Sequence, residues 1–438
     1  MGSQDLIVTP IYLILLSTLA IIVRPFVTNK FTRKYFLIAL WARFIGAIGL
    51  GLVYQFYYQG GDTFNYWTHG SRWIWEAFLD SPLTGIQLLI DSGGGDRSDE
   101  TYEYSQHIWY YRDIKSFAIV RIAALFDLFT FHTYSATALL FASFSFSGQW
   151  AMYSSIVKIY PHNRYLHISL LFIPSVIFWG SGILKDTITL GALGWLMWSV
   201  INFLILKEKR GISVLVALLA AALIFQIKSY ILLSFIPVVF LLIYLLNIGK
   251  VRNRILKIMM IPFLLLVFSG LGFLSTIYAS TDEYNINNIA QRAAITSYDI
   301  RYGWGARNQG DGGYDIGRLD GTWQSMISHA PKAIIVSLFR PFIWEVKNPL
   351  MLLAALESFV VLIFSLRMFM KGRIGQILKD PFLTFCFTFS ILFAFAVGVS
   401  TGNFGTLMRY KIPMLPFFFS ALILATDKPL KNSRYASK

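Results

Sequence analysis

The sequence is poor in charge and almost without cysteine. Of 438 residues only 14% are Asp, Glu, Lys or Arg, where soluble domains carry about 25%. Hydrophobic residues make up 56%, more than a soluble globule of this length can hide, so most of them must face lipid. One cysteine, Cys386, excludes an intrachain disulfide, a multi-cysteine zinc site and an iron–sulfur cluster. Its apolar surroundings read as a buried structural thiol. Neither a Walker-type phosphate loop nor a GxGxxG pattern occurs, which leaves ATP or NAD use without support. No internal repeat is visible, and the six histidines show no metal-ligand spacing, which argues against zinc.

What remains is a chain of apolar runs. The expected fold class is an all-α polytopic membrane protein, one integral-membrane domain over 1–438. About eleven segments are long enough to cross: roughly 6–28, 35–56, 135–158, 165–180, 186–206, 212–227, 230–248, 254–277, 348–370, 381–399 and 411–426. The first, Leu6 to Val23, is followed by Arg24 and no small-residue cleavage site, so it reads as a span rather than a leader.

The net charge of +15 is a sidedness signal. The connections 24–34, 158–164, 207–210, 250–257, 367–379 and the tail from Asp427 hold most of the Lys and Arg and almost none of the acids. The positive-inside rule puts them in the cytoplasm. They fall on one side only if 116–131, which carries Arg121 and Asp127, stays at the outer face as an interfacial or re-entrant helix. The N-terminus is then outside and the C-terminus inside, and the basic tail suggests a bacterial inner (cell) membrane as the expected location. Nucleic acid is not an expected partner; membrane lipids are. The two long outer loops, 57–134 and 278–347, are where polar chemistry is expected.

The first loop opens with Gln59-Gly60-Gly61-Asp62-Thr63-Phe64-Asn65-Tyr66-Trp67. Two glycines let the backbone turn sharply and present the Asp62 carboxylate at a helix mouth. Such a carboxylate suits a general base, a ligand to a divalent cation such as Mg or Mn, or simply a solvated turn. Ser71 to Ile90 reads as one or two amphipathic helices broken at Pro82, either lipid-interfacial or packed on the protein. Gly93-Gly94-Gly95-Asp96-Arg97 reads as linker or lid.

The short outer turns each supply a cation. Pro174 to Thr187 ends in Lys185-Asp186, an acid–base pair opening a span, functional or merely helix-capping. Lys228 stands between two apolar runs and suits a lipid phosphate or simple snorkelling. Phe339-Arg340-Pro341-Phe342-Ile343-Trp344-Glu345 frames an aromatic turn with Arg and Glu, and Glu357 follows within a span. Gly402 to Lys411 contributes Arg409, whose planar fork matches phosphate oxygens. Lys185, Lys228, Arg340 and Arg409 together suggest one phosphate or pyrophosphate site. Tyr302 to Gly305 and Asn308 to Tyr314 add glycines and aromatic faces able to stack on sugars or to order a surface.

This order of features resembles the GT-C superfamily, integral-membrane glycosyltransferases that use polyprenyl-phosphate or polyprenyl-pyrophosphate sugars. The resemblance covers most of the chain as topology and a few short stretches as motif. Asp62, in Gly60-Gly61-Asp62-Thr63-Phe64-Asn65-Tyr66, occupies the place of the family's first-loop catalytic acid. Asp186, after Pro174 and Lys185, resembles the acid of the second outer turn. Pro174–Thr187, Phe339–Glu345 and Asn403–Tyr410 are also similar to exopolysaccharide-polymerase-like relatives. An extra span before the first loop, and the lack of a large soluble C-terminal domain, set this sequence apart from oligosaccharyltransferases. The resemblance implies catalytic roles for Asp62 and Asp186, and donor-phosphate binding by Lys185, Lys228, Arg340 and Arg409. It implies substrate positioning by Tyr66 and Glu345. The expected partners are a polyprenyl-linked sugar donor and a glycan or lipid acceptor. An O-antigen or exopolysaccharide polymerase is the alternative enzyme; a lipid or polysaccharide transporter is the non-enzymatic one.

Overall fold

The computed structural model describes residues 2–161, 163–250, 286–300 and 313–426. The expected span at 254–277, the stretch 301–312 and the basic tail lie outside them. Every regular element among the described residues is helical, and the β pairing there is an isolated bridge between Gly313 and Asn403. Seven helices are long and apolar enough to cross a membrane, or eight if one bent pair counts as a single span. The class is an all-α polytopic membrane protein. Eleven spans are not reached for three reasons. One expected span falls outside the described residues. The segment at 165–180 is broken into two short helices. The segment at 135–158 is a long helix, but it is not among the seven.

The chain divides into two units, Met1–Leu232 and Leu233–Lys438. The first begins with α1 (Ser3–Val27) and α2 (Arg33–Leu52), the latter running on through a wide turn to Tyr57. A loop region follows: α3 (Asp62–Tyr66), α4 (Arg72–Asp80), α5 (Pro82–Ile90), α6 (Tyr102–Ser105) and α7 (Ile114–Thr130). Next come α8 (Tyr134–Ile159), α9 (Leu166–Leu171), α10 (Pro174–Trp179), α11 (Lys185–Val200) and α12 (Arg210–Lys228).

Side-chain caps start several of these helices. Ser81 accepts a hydrogen bond from the Thr84 amide, and Pro82 sits where its missing N–H costs nothing. Asp113 caps α7 through the Lys115 amide at 3.1 Å. Central α8 is buried along most of its length, which is why it can carry Ser, Thr, Tyr and Gln where an outer span could not. It crosses α11 at backbone contact. A Cβ on Gly148 would lie 1.8 Å from the Gly191 carbonyl oxygen, and one on Gly194 would lie 2.3 Å from that of Gly148. Small residues at such a crossing are what let two membrane helices touch. By contrast α1 presents Leu6, Ile7, Ile14 and Ile22 outward, each more than half exposed, a face that is stable only against lipid.

One end of the first unit gathers the start of α1 and α8, with the Asp5 carboxylate accepting from the Ser135 amide at 2.8 Å. Thr63 in α3 bonds the Tyr134 hydroxyl at 2.7 Å. The start of α11 and the end of α12 meet there through Asp186 and Lys228. At the other end, Arg24 donates to the Arg33 carbonyl and Lys158 pairs with Glu208. Helix α7 packs on the loop helices, and the residues flanking it, Asp113 and Tyr134, both belong to the first of these ends. That placement accords with a segment that does not cross. It is no bare surface helix, though, since Phe117, Ile119, Val120 and Ala124 are fully buried.

The second unit contains most of α13 (Tyr230–Asn247), then α14 (Ile286–Tyr298), α15 (Trp323–Ser328), α16 (Ala330–Phe339) and α17 (Pro349–Met370). It closes with α18 (Ile374–Lys379), α19 (Pro381–Ser400), α20 (Phe404–Tyr410) and α21 (Leu415–Thr426). The last two form the bent pair, at 69°. Asn348, Asp380 and Asn403 each cap the helix that follows. Its core is aromatic, with Phe385, Phe389 and Phe417 stacked edge to face beside the buried Cys386.

Candidate functional site

The site of the first unit is built on the turn that leaves α2. Gly60 and Gly61 hold φ of +138° and +117°, and Gln59 one of +54°. Only glycine takes the first two comfortably. A Cβ on Gly61 would also strike the Tyr54 ring at 2.7 Å. The turn delivers Asp62, partly exposed, as the first residue of α3. Tyr66, 3% exposed, packs on Tyr110 at 5.0 Å between ring centres. It therefore anchors α3 from beneath rather than standing open to a ligand.

Around Asp62 the structure gathers charges from three further elements. The Lys185 ammonium at the start of α11 lies 3.4 Å from the Asp113 carboxylate. Asp62 and Lys228 are within its electrostatic reach. Asp186 is turned the other way and is ion-paired with Lys228, with side-chain exposures of 0% and 7%. The cluster thus has two layers. Lys228–Asp186 is sealed in the protein, whereas the Asp113 side chain is 50% exposed and Lys185 18%. The outer layer is the part a ligand can reach.

Asp113 was not singled out by the sequence reading. The signal was there: an Asp directly before an apolar helical run is an N-cap. Burial raises its carboxyl, but the Lys185 ammonium and the hydroxyl and amide of Ser116 outweigh that. The group therefore sits below its ordinary value of 3.8. It is a firmly ionised counter-charge for Lys185.

A second carboxylate lies deeper. Asp127 in α7 is fully buried and accepts from Ser71 and Thr137, each at 2.6 Å, and meets the His132 ring nitrogen Nδ1 at 2.9 Å. Hydroxyl and imidazole partners thus leave both carboxylate oxygens hydrogen-bonded. Trp67 stacks on His132 at 4.3 Å, so this group ties α7 to the segment leading out of α3.

In the second unit, Arg340 binds Glu345, bonding through Nε at 3.0 Å and through a second guanidinium nitrogen. Its guanidinium also lies over the Phe404 and Tyr314 rings, 5.1 and 5.8 Å from their centres. Burial raises the Glu345 carboxyl, yet Arg340 and the Phe342 amide hold it below its ordinary value. Lys411 donates to the Arg340 carbonyl at 3.2 Å and to Ser358 at 2.9 Å, beside Glu357. Arg409 lies partly exposed in α20. Lys185 and Lys228 therefore share one constellation in the first unit, while Arg340 and Arg409 belong to the second. Three of the four expected phosphate-binding cations already hold protein carboxylates: Lys185 with Asp113, Lys228 with Asp186 and Arg340 with Glu345.

Among the described residues no three His, Cys, Asp or Glu side chains gather into a metal-holding group. Comparison with protein-family models, curated proteins and solved structures finds no match to the chain. The functional reading accordingly rests on the geometry of these side chains.

Proposed function

We propose that the chain is a membrane glycosyltransferase. It would move a sugar from a polyprenyl phosphate or pyrophosphate to an acceptor hydroxyl at the outer face, with the N-terminus outside and the C-terminus cytoplasmic. The observation that carries the reading is a reachable Asp62, held on a two-glycine turn beside Lys185, at the end of the bundle away from the basic turns. The gathering of Lys158 and Lys207–Arg210 at the opposite end supports that orientation.

In this mechanism Asp62 accepts the proton of the acceptor hydroxyl. The freed oxygen pair attacks the anomeric carbon, the bond from that carbon to the phosphate oxygen breaks, and the lipid phosphate departs with the bonding electrons. Attack opposite the leaving group inverts the anomeric centre. Lys185 offsets the charge growing on the phosphate, and Asp113 keeps the ammonium aimed. Asp186 and Lys228 brace the start of α11 from within.

The test is turnover in nanodiscs with labelled polyprenyl-phosphate and polyprenyl-pyrophosphate sugars, wild type beside Asp62→Asn. Loss of transfer in the variant, with donor binding kept, supports the assignment. An Asp62→Asn protein as active as wild type sinks the role of Asp62. A wild type that binds and consumes no donor sinks the enzyme reading and favours a transporter.

A further inference from the structure

A cavity of about 710 Å³ lies on the lipid side of the first unit, away from the Asp62 cluster. Leu19 and Val23 of α1, Leu40 of α2, Phe146 and Trp150 of α8, and Trp198 beyond them on α11 make its walls apolar. Its volume falls within the range of ligand pockets. Along α1 the lining runs from Leu16 to Val27, about 16 Å at 1.5 Å per residue. That is half of a hydrocarbon core about 30 Å thick, the depth of one leaflet.

Charge is confined to one end. Thr28, Asn29, Lys158 and Lys209 line the mouth, where α1 and α8 end and α12 begins. Lys158 is paired with Glu208 at 2.8 Å, but both are about half exposed, and such pairs yield readily to a competing anion. Lys207 and Lys209 hold left-handed backbone, φ +59° and +47°. Non-glycine residues seldom adopt that conformation, and where it persists it often serves a site. Here the turn brings the Lys209 ammonium to the rim of an apolar slot, where Lys158 of α8 also lies.

We propose that this groove binds a membrane phospholipid with an acidic headgroup. One acyl chain lies between α1 and α8, and the headgroup phosphate is held by Lys158 and Lys209. The charge at the mouth selects an anionic head, and the one-leaflet depth selects an acyl tail over a soluble ligand. The site is independent of the transfer chemistry proposed above.

Delipidated protein is exposed to an equal mixture of dioleoyl phosphatidylglycerol and dioleoyl phosphatidylcholine, and retained lipid is counted by native mass spectrometry. The wild type should retain the phosphatidylglycerol preferentially. The Lys158→Gln/Lys209→Gln variant, altered only at exposed positions, should lose that preference by roughly tenfold. Lys371→Gln, a basic residue of the second unit, should keep it. Ala20→Phe, which fills the groove, should lower retention of both lipids. Equal retention of the two lipids by wild type, or an unchanged preference in the double variant, overturns the proposal. Undiminished retention in Ala20→Phe overturns it as well.

Discussion

The Lys228–Asp186 pair offers the sharpest test of the architecture, because both groups are nearly sealed from solvent, at 7% and 0% exposure. Lys228→Met would strand a buried carboxylate, and Asp186→Leu a buried ammonium. Removing one member of a buried pair costs about 3–5 kcal/mol, whereas replacing both by apolar groups is close to neutral. For a unit of this size about 1 kcal/mol moves the melting temperature by 2–4 °C. Each single variant should therefore melt roughly 6–20 °C below wild type, and Lys228→Met/Asp186→Leu should recover most of the loss. Tryptophan fluorescence in detergent reads the first unit, which holds most of the tryptophans. Thiol labelling of Cys386, buried in the second unit, reads the other. Singles within about 2 °C of wild type would refute the pairing argument. So would a double variant that merely adds the two losses.

Three further variants test the helix crossing and the outer charge layer. Gly148→Ala should cost about 3 kcal/mol, the upper end for overpacking, because its Cβ would meet the Gly191 carbonyl at 1.8 Å. Gly49→Ala in α2, where nothing lies within 4 Å, should gain about 0.5–1 kcal/mol from helix propensity; parallel melts compare them. For Asp113 the folded pKa lies below its unfolded value of 3.8. Its contribution is complete above that value and is lost as pH falls through the lower folded one. Asp113→Asn should lose less stability than wild type as pH falls from about 4 through the lower folded value, read as the difference between their acid unfolding curves.

Features written in single residues or short periods were legible in the sequence. The Gly60–Gly61 turn was, since only glycine serves there, and so was the helix break at Pro82. The lone charges at Lys228 and Asp186 were recognised because charge at membrane depth is costly. Their mutual pairing was not, because it joins the end of α12 to the start of α11, and side-chain direction on packed helices is set by tertiary contacts. The same reason hid the engagement of Arg340 with Glu345 inside an aromatic setting. Hydropathy could not reveal that α8 is the buried centre of its unit, because burial within protein tolerates Gln149 and Ser145 where lipid would not. Asp113 was missed because the segment after it was weighed as a membrane question, not as a helix start.

The two layers of charge explain why the carboxylates of the first unit are not interchangeable. A general base works best when its pKa approaches the working pH. Asp113 is held the other way by Lys185 and Ser116, so it is poorly suited to take a proton and well suited to hold a cation. Asp186 is sealed against Lys228 and cannot meet an acceptor hydroxyl without breaking a buried pair. Asp62 differs from Asp186 in being partly exposed, and from Asp113 in standing on a glycine turn at the start of a short helix. Its neighbour Lys185 already has a dedicated counter-ion, so in the proposed transfer a departing phosphate would meet an ammonium held in place by Asp113. A site arranged this way separates proton acceptance from charge neutralisation. Reversing the assignment, with Asp113 as base, would remove the group that keeps Lys185 in position.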